Sequence, residues 1–158
     1  MADTEEDIYC LIVPMRDTPI LIPNKALAEI VPYIDSEPAP EDHEPWHIGY
    51  LHWRSMLLPV ISFEKIYNPE FPPAGRRQKM VAILHTQLGL KQMPYFGIAV
   101  EGIPRLAPVS RKSIKHKNKK EISNLPESIL AQVEYRNRDL IIPDIKTVEW
   151  MIEKHIKK

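Results

Sequence analysis

Sixteen prolines are spread through a chain of 158 residues, about twice the typical share of roughly 5%. Each removes a backbone donor, and proline is poorly tolerated inside helices and inner strands. A chain interrupted this often favours many short strands with irregular corners and argues against a helical bundle. The apolar fraction of 44% is enough to bury a core, and the length fits one ordinary domain or two very small ones.

The strand signals follow in order. Residues 8–15, IYCLIVPM, and 20–22, ILI, read as strands around a turn at Asp17, Thr18 and Pro19. Asn24 is placed to cap one or two helical turns over Lys25–Val31, stopped by Pro32. Residues 35–45, DSEPAPEDHEP, are acidic and proline-rich and read as a solvated loop. GYLHWRSMLLPV, residues 49–60, reads as a hairpin turning at Arg54–Ser55. Tight two-residue turns prefer Gly or Asn, so Ser55 points to a looser turn or another type. Ser62 is placed to cap a short helix, Phe63–Tyr67. PEFPPAGRRQ, residues 69–78, is the best boundary between two halves. Beyond it, 79–85, 95–101 and 103–109 read as strands, with a loop over Thr86–Met93. Residues 132–136 and 139–142 form a last hairpin around Asn137. Asp144 then caps an amphipathic helix carrying Ile145, Val148, Met151, Ile152 and Ile156. The outline is mainly β: about four strands, a break, about five strands and a C-terminal helix. The halves look alike, with a charged residue at a strand corner in each, but their sequence identity is too weak to call a repeat.

Lys plus Arg and Asp plus Glu are each 21, so no net field draws nucleic acid or an anionic membrane, and such binding would need a local patch. The acidic start, MADTEED, lacks the order of a secretory signal. No apolar run approaches the roughly 20 residues of a membrane span. Cys10 is the one cysteine and cannot form an intramolecular disulfide. A soluble protein of a reducing, cytoplasmic compartment is expected.

Chemistry-bearing patterns are sparse. His43, His47 and His52 lie close in sequence, but Pro45 interrupts any helix aligning the first two, and no cysteine is near, so no metal site is expected. Cys10 falls inside an apolar strand, where a thiol is inert. No nucleophile elbow or phosphate loop is present, and no catalytic residue is assigned. The basic run 111–120, RKSIKHKNKK, has no interleaved aromatic on which a base could stack. A small β-barrel module binding nucleic acid through that run is the alternative reading. The residue that stands out is Arg54, charged and set inside an apolar hairpin. A pair with Glu29, ringed by Val31, Tyr50, Trp53 and Met56, has the character of a binding surface rather than a stabilising device.

Four stretches carry a resemblance. ILIPNKALAEIV resembles a "strand, Pro, short segment, V/A-x-E-I" opening, and GYLHWRSMLLPVISFEKIY resembles "G-x-x-x-x-R-G-x-x-x-P-V-h-D-L-x-x-h". FGIAVEGIPRLAPV and DLIIPDIKTV resemble "G-h-h-V-D-x-V-x-x-V-h-x-h" and "h-L-h-D-h-x-x-h". Together they resemble the CheW-like coupling proteins of bacterial chemosensory systems, the small ChpC or PilI kind of pilus-motility arrays in particular.

The resemblance implies a single CheW-like domain over 8–150, built of two packed five-stranded SH3-like barrels with short helices. The first subdomain would span about 16–70. The second would span about 79–150 plus the N-terminal strand 8–15, with 151–158 as the end of the C-terminal helix. It implies no enzyme activity and no cofactor. The implied role is an adaptor in chemosensory signal transduction, binding the cytoplasmic tip of a methyl-accepting chemoreceptor and the regulatory domain of a CheA-type histidine kinase. Membrane association would come through partners, without insertion. Glu29, Val31, Tyr50, Arg54, Ser55, Met56, Glu101 and Leu106 are the implied protein-binding residues. Three positions depart from the pattern: Ser55 stands for glycine, and Ser62 and Glu101 for aspartates. The segments 35–45 and 111–120 are candidate specificity elements.

Overall fold

The structure, a computed structural model, describes residues 8–33, 37–39, 41, 43–72, 80–87, 93–116 and 126–156. Twelve strands form two six-stranded sheets among these residues. The strands are β1 (Ile8–Val13), β2 (Ile20–Pro23), β3 (Leu27–Pro32), β4 (Glu37–Pro38), β5 (His47–Trp53) and β6 (Met56–Ile61), then β7 (Met80–His85), β8 (Tyr95–Val100), β9 (Arg105–Val109), β10 (Ile114–His116), β11 (Ile129–Tyr135) and β12 (Arg138–Pro143). Helix α1 (Phe63–Tyr67) follows β6, and helix α2 (Ile145–Ile156) follows β12.

The first sheet runs β4-β5-β6-β8-β7-β3 and the second β10-β11-β12-β2-β1-β9. These are the same arrangement. In both, a hairpin lies beside a parallel neighbour, at Val60–Gly97 in one and Ile141–Ile20 in the other. The hairpin ladders repeat residue for residue 82 positions apart: His47–Ile61 becomes Ile129–Pro143, and Trp53–Met56 becomes Tyr135–Arg138. Even the bulge recurs, between His47 and Gly49 and between Ile129 and Ala131. The likeness seen in sequence is thus a structural repeat, but a permuted one. The second sheet takes its last two strands, β1 and β2, from the start of the chain. The sheets therefore divide the chain after Pro23 and again between Val100 and Arg105. The proline-rich break 69–78 joins α1 to β7 within the span of the first sheet, and its residues 73–78 lie outside the described residues.

Alternating side chains give each sheet two apolar faces, which explains why the strands read as continuous apolar runs. Each sheet curls as an SH3-like barrel around a core of its own. Leu51, Trp53, Leu58, Val60, Val81, Ile83 and Ala99 fill the first, and Cys10, Ile12, Leu21, Val133, Tyr135 and Leu140 the second. The opposite faces meet in a third core, where Leu11, Val13 and Ile20 face Leu84, Phe96 and Ile98 between Phe63 of α1 and Val148 and Ile152 of α2. Burial pushes the Cys10 thiol up from its ordinary range, as expected for an inert core cysteine.

The helices lock the sheets together reciprocally. Glu64 of α1 accepts a hydrogen bond from the Arg16 backbone N–H (2.9 Å), in the turn between β1 and β2 of the second sheet. Glu149 of α2, fully buried, accepts one from the Gln87 N–H, just after β7 of the first sheet. Tyr67 adds a bond to Asp17 (2.7 Å) in the same β1–β2 turn. Both helices start at the expected caps. Ser62 Oγ accepts from Lys65 N (3.4 Å), and Asp144 Oδ1 accepts from Thr147 N (3.2 Å).

Several local expectations change. The segment behind Asn24 is a single 3-10 turn, Asn24–Ala26, with no side-chain cap, and from Leu27 the chain is strand. Ladder bonds to β7, from Leu27–Leu84 to Pro32–Met80, satisfy backbone groups that one or two helical turns would leave open. The solvated loop 35–45 contains β4, whose Glu37 and Pro38 pair with Tyr50 and Gly49. The basic run contains β10, while its residues 117–120 lie outside the described residues. Each barrel has six strands among the described residues, not five, because β4 and β10 add a short edge.

The Arg54–Ser55 turn is tight after all. Both residues have positive φ, 48° and 65°, the pattern of a type I′ hairpin. Its counterpart Arg136–Asn137 has 49° and 63°. The right-handed twist of the flanking strands selects this turn even though Ser55 is a poor left-handed residue. Replacing Ser55 with glycine is therefore expected to stabilise the fold by about 1 kcal/mol, the usual penalty of an L side chain in that region. Urea denaturation of Ser55→Gly checks this, and no gain would mean the strain is relieved elsewhere.

Candidate docking site

The β5–β6 turn projects Arg54 from the end of the first barrel. Trp53, one residue earlier, points inward and is buried. Its indole N–H donates to Glu29 Oε2 (3.4 Å), and Arg54 Nη2 donates to Glu29 Oε1 (3.3 Å). Glu29, on the edge strand β3, thus holds both residues of the tip. The Arg54 guanidinium lies over the Trp53 ring, 4.4 Å from its centroid, a stacking that favours a planar cation. The expected Glu29–Arg54 pair exists and is solvent-exposed, at 42% and 65% side-chain accessibility. An ion pair so exposed adds about 0–1 kcal/mol to stability. The motif therefore fixes the shape and charge of a surface more than it holds the fold.

The other expected residues distribute unevenly. Met56 lies opposite Trp53 in the hairpin register. Val31 and Met56 pack half-buried on the first barrel's core. Tyr50 packs edge-on against His47 (4.8 Å), on the β4 side of β5. Glu101 follows β8, its N–H bonded to Pro14 O (2.9 Å). Leu106 sits on β9 of the second sheet, opposite Leu11 and 58% exposed. The structure brings Glu29, Arg54, Ser55 and Met56 to one tip and places Glu101 and Leu106 where the second sheet begins.

Beside the tip lies a feature that sequence reasoning missed. Tyr95 packs against Trp53 (ring centroids 4.8 Å apart) and, with Met56, Leu57, Met93 and Pro94, lines a cleft of about 250 Å³. Leu57 is 45% exposed at its rim. The cleft forms because β6 and β8, far apart in sequence, run side by side. No local pattern announces it.

Of the three histidines, His43 and His47 are in edge-on ring contact (centroids 6.4 Å apart). His52 pairs with Glu37 on the surface (2.9 Å). His47 is buried, its Nε2 facing Gly49 O (3.2 Å). Among the described residues no group of three His, Cys, Asp or Glu side chains is placed to hold a metal ion. Burial, with a smaller contribution from His43, pushes the His47 pKa below its ordinary value, partly countered by the Gly49 bond. The unfolded chain therefore binds more protons than the folded one below about pH 6.5. The neutral imidazole's contribution is intact above that pH and is lost as pH falls through it. The second barrel holds Ile129 at the matching position. His47→Ile is therefore expected to remove this pH dependence. The check is thermal melting between pH 8 and pH 5: the Tm of wild type should fall relative to the variant as the medium acidifies.

The fold is thus a pair of SH3-like barrels, the first carrying a charged, aromatic-backed hairpin tip. A family model described as CheW-like domain matches residues 10–149, and the chain belongs to that family. Among solved structures it is similar to the scaffolding protein TtCheW from Thermoanaerobacter tengcongensis. The TM-score is 0.68 at 15% identity, over 87% of this chain and 89% of that one. No curated protein matches the sequence. No helix among the described residues is long and apolar enough to cross a membrane.

Proposed function

We propose that the chain is a non-enzymatic adaptor of a chemosensory array. It couples the cytoplasmic tip of a membrane chemoreceptor to the CheW-like regulatory domain of a CheA-type histidine kinase, in an array serving pilus-based motility. It works in the cytoplasm and reaches the membrane through these partners. The observation that carries the reading is the Glu29–Trp53–Arg54 tip. A member of a scaffold family holds a guanidinium in the open, backed by an indole and flanked by an apolar cleft. Interface hot spots favour this composition of arginine, aromatic ring and adjoining apolar pocket. The rest of the docking surface comprises Val31, Tyr50, Ser55, Met56, Glu101 and Leu106.

Calorimetric titration against the isolated regulatory domain of a histidine kinase from the same cell tests this, with a receptor-tip fragment as second titrant. Saturable binding in the micromolar range is expected, as for transient signalling contacts. Absence of heat with both titrants, for a protein that melts cooperatively, would defeat the adaptor reading.

A further inference from the structure

The two hairpin tips are built alike, with one part missing from the second. In the first barrel Trp53 and Arg54 share Glu29, a carboxylate supplied by the edge strand β3. In the second, Arg136 lies over the ring of Tyr135, 5.1 Å from its centroid. The corresponding edge strand is β9, whose sequence RLAPV holds no carboxylate. Tyr135 turns instead to the backbone, its hydroxyl donating to Pro108 O (3.0 Å). Beyond Val109 the chain turns through Ser110–Ser113, where the Ser113 N–H donates to Ser110 O (3.1 Å), and returns as β10 with Ile114 opposite Tyr135. The turn therefore starts beside the Tyr135 hydroxyl and ends beside its backbone. It carries Arg111 and Lys112, the hairpin carries Arg136 and Arg138, and all four are exposed. Glu134 and Asp139 pair in register one rung back from Tyr135–Arg138, so this end of the barrel keeps an excess of positive charge.

The chain itself brings a complementary segment to this place. Ile8 pairs with Val109 and Tyr9 with Pro108, antiparallel. The chain ahead of Ile8 therefore joins the sheet at the end where the turn begins. Those seven residues, MADTEED, lie outside the described residues. They carry four carboxylates, Asp3, Glu5, Glu6 and Asp7, and no lysine or arginine. Counted from the Ile8–Val109 rung, Glu6 and Arg111 are each two residues away, and Glu5 and Lys112 three. Seven residues reach at most about 25 Å, so the carboxylates stay within range of the turn. A tether this short gives an effective concentration on the order of millimolar.

We propose that the acidic segment Asp3–Asp7 docks on this end of its own chain, setting its carboxylates against Arg111, Lys112, Arg136 and Arg138. It gives the second tip the anionic partner that Glu29 gives the first. Docked, it covers the cations, and any other anionic partner meets them only after displacing it. Exposed ion pairs are individually weak, so the docking needs several of them together and fades with salt. It makes no use of the Arg54 tip, so it stands or falls separately from the adaptor role.

The test is paramagnetic broadening of amide signals in the full chain. Thr4→Cys in a Cys10→Ala background carries a nitroxide within the segment. At about 10 mM salt the amides of residues 110–113 and 136–138 should lose most of the intensity they keep at about 1 M, the screening length falling between the two from roughly 30 Å to roughly 3 Å. Two variants fix the contact: Glu5→Lys with Glu6→Lys, and Arg111→Glu with Arg136→Glu. Each alone should make the low-salt spectrum resemble the high-salt one. Combined, they restore opposite charges and should recover the broadening. A mixture of nitroxide-bearing chain with isotope-labelled chain free of nitroxide should show none, because the contact lies within one molecule. Circular dichroism melts confirm that every variant is folded. Signals that do not change with salt, broadening that survives either reversal, a combination that fails to recover it, or broadening in the mixture, which would place the segment on another copy, would each overturn the proposal.

Discussion

Truncating Phe96 to alanine is expected to destabilise the protein by about 3–5 kcal/mol, the range for emptying a large aromatic from a rigid core. Phe96 is fully buried on β8, opposite Leu84, in the core that both sheets and both helices share. Its neighbours are strands paired on both sides and helices pinned by Glu64 and Glu149, so the space cannot close by local collapse. For a chain of this length each kcal/mol shifts Tm by roughly 2–4 °C, so a fall on the order of 10 °C is expected. Urea denaturation followed by tryptophan fluorescence and circular dichroism measures it. The two signals should move together, because the shared core joins the barrels. A loss below about 1 kcal/mol, or two separated transitions, would mean that the barrels are stabilised independently and the shared core carries little.

Which parts of this arrangement could be read from the residues depends on how far the deciding interaction reaches. The β5–β6 and β11–β12 hairpins, the Ser62 and Asp144 caps and the amphipathic α2 rest on near neighbours, and the sequence showed all of them. The Asn24 segment misled because a cap residue before LAEIV satisfies helix and strand patterns alike. What decides it is the ladder with β7, some fifty residues on. The permutation is invisible locally for the same reason: nothing in ILIP says that Ile20 will pair in parallel with Ile141. The resemblance to the family did imply that the first strand crosses to the second barrel. At the candidate site, Arg54 was conspicuous as a charge inside an apolar hairpin. Trp53 as the link between Arg54 and Glu29 was not, because indole bonding and ring stacking leave no spacing signal. The cleft beside Tyr95 needed the β6–β8 pairing before it existed.

Reversing the tip charge, Arg54→Glu, is expected to weaken partner binding by about 2 kcal/mol or more, roughly thirtyfold, as for loss of a central arginine in an interface. Folding should change by less than about 1 kcal/mol, since the pair with Glu29 is exposed. The single reversal also sets two carboxylates against each other, so binding could fail merely because the turn is pushed aside. The charge swap Glu29→Arg with Arg54→Glu separates the two causes. It restores the attraction between β3 and the hairpin tip but offers the partner a carboxylate at residue 54. If Arg54 serves only to hold the turn, the swap recovers binding. If the guanidinium over Trp53 is what the partner meets, the swap stays as weak as the single reversal while its melting temperature returns toward wild type. The second pattern is expected, because Trp53, although the swap removes its acceptor at Glu29, stays buried in the first barrel's core and packed on Tyr95 whether or not the ion pair forms.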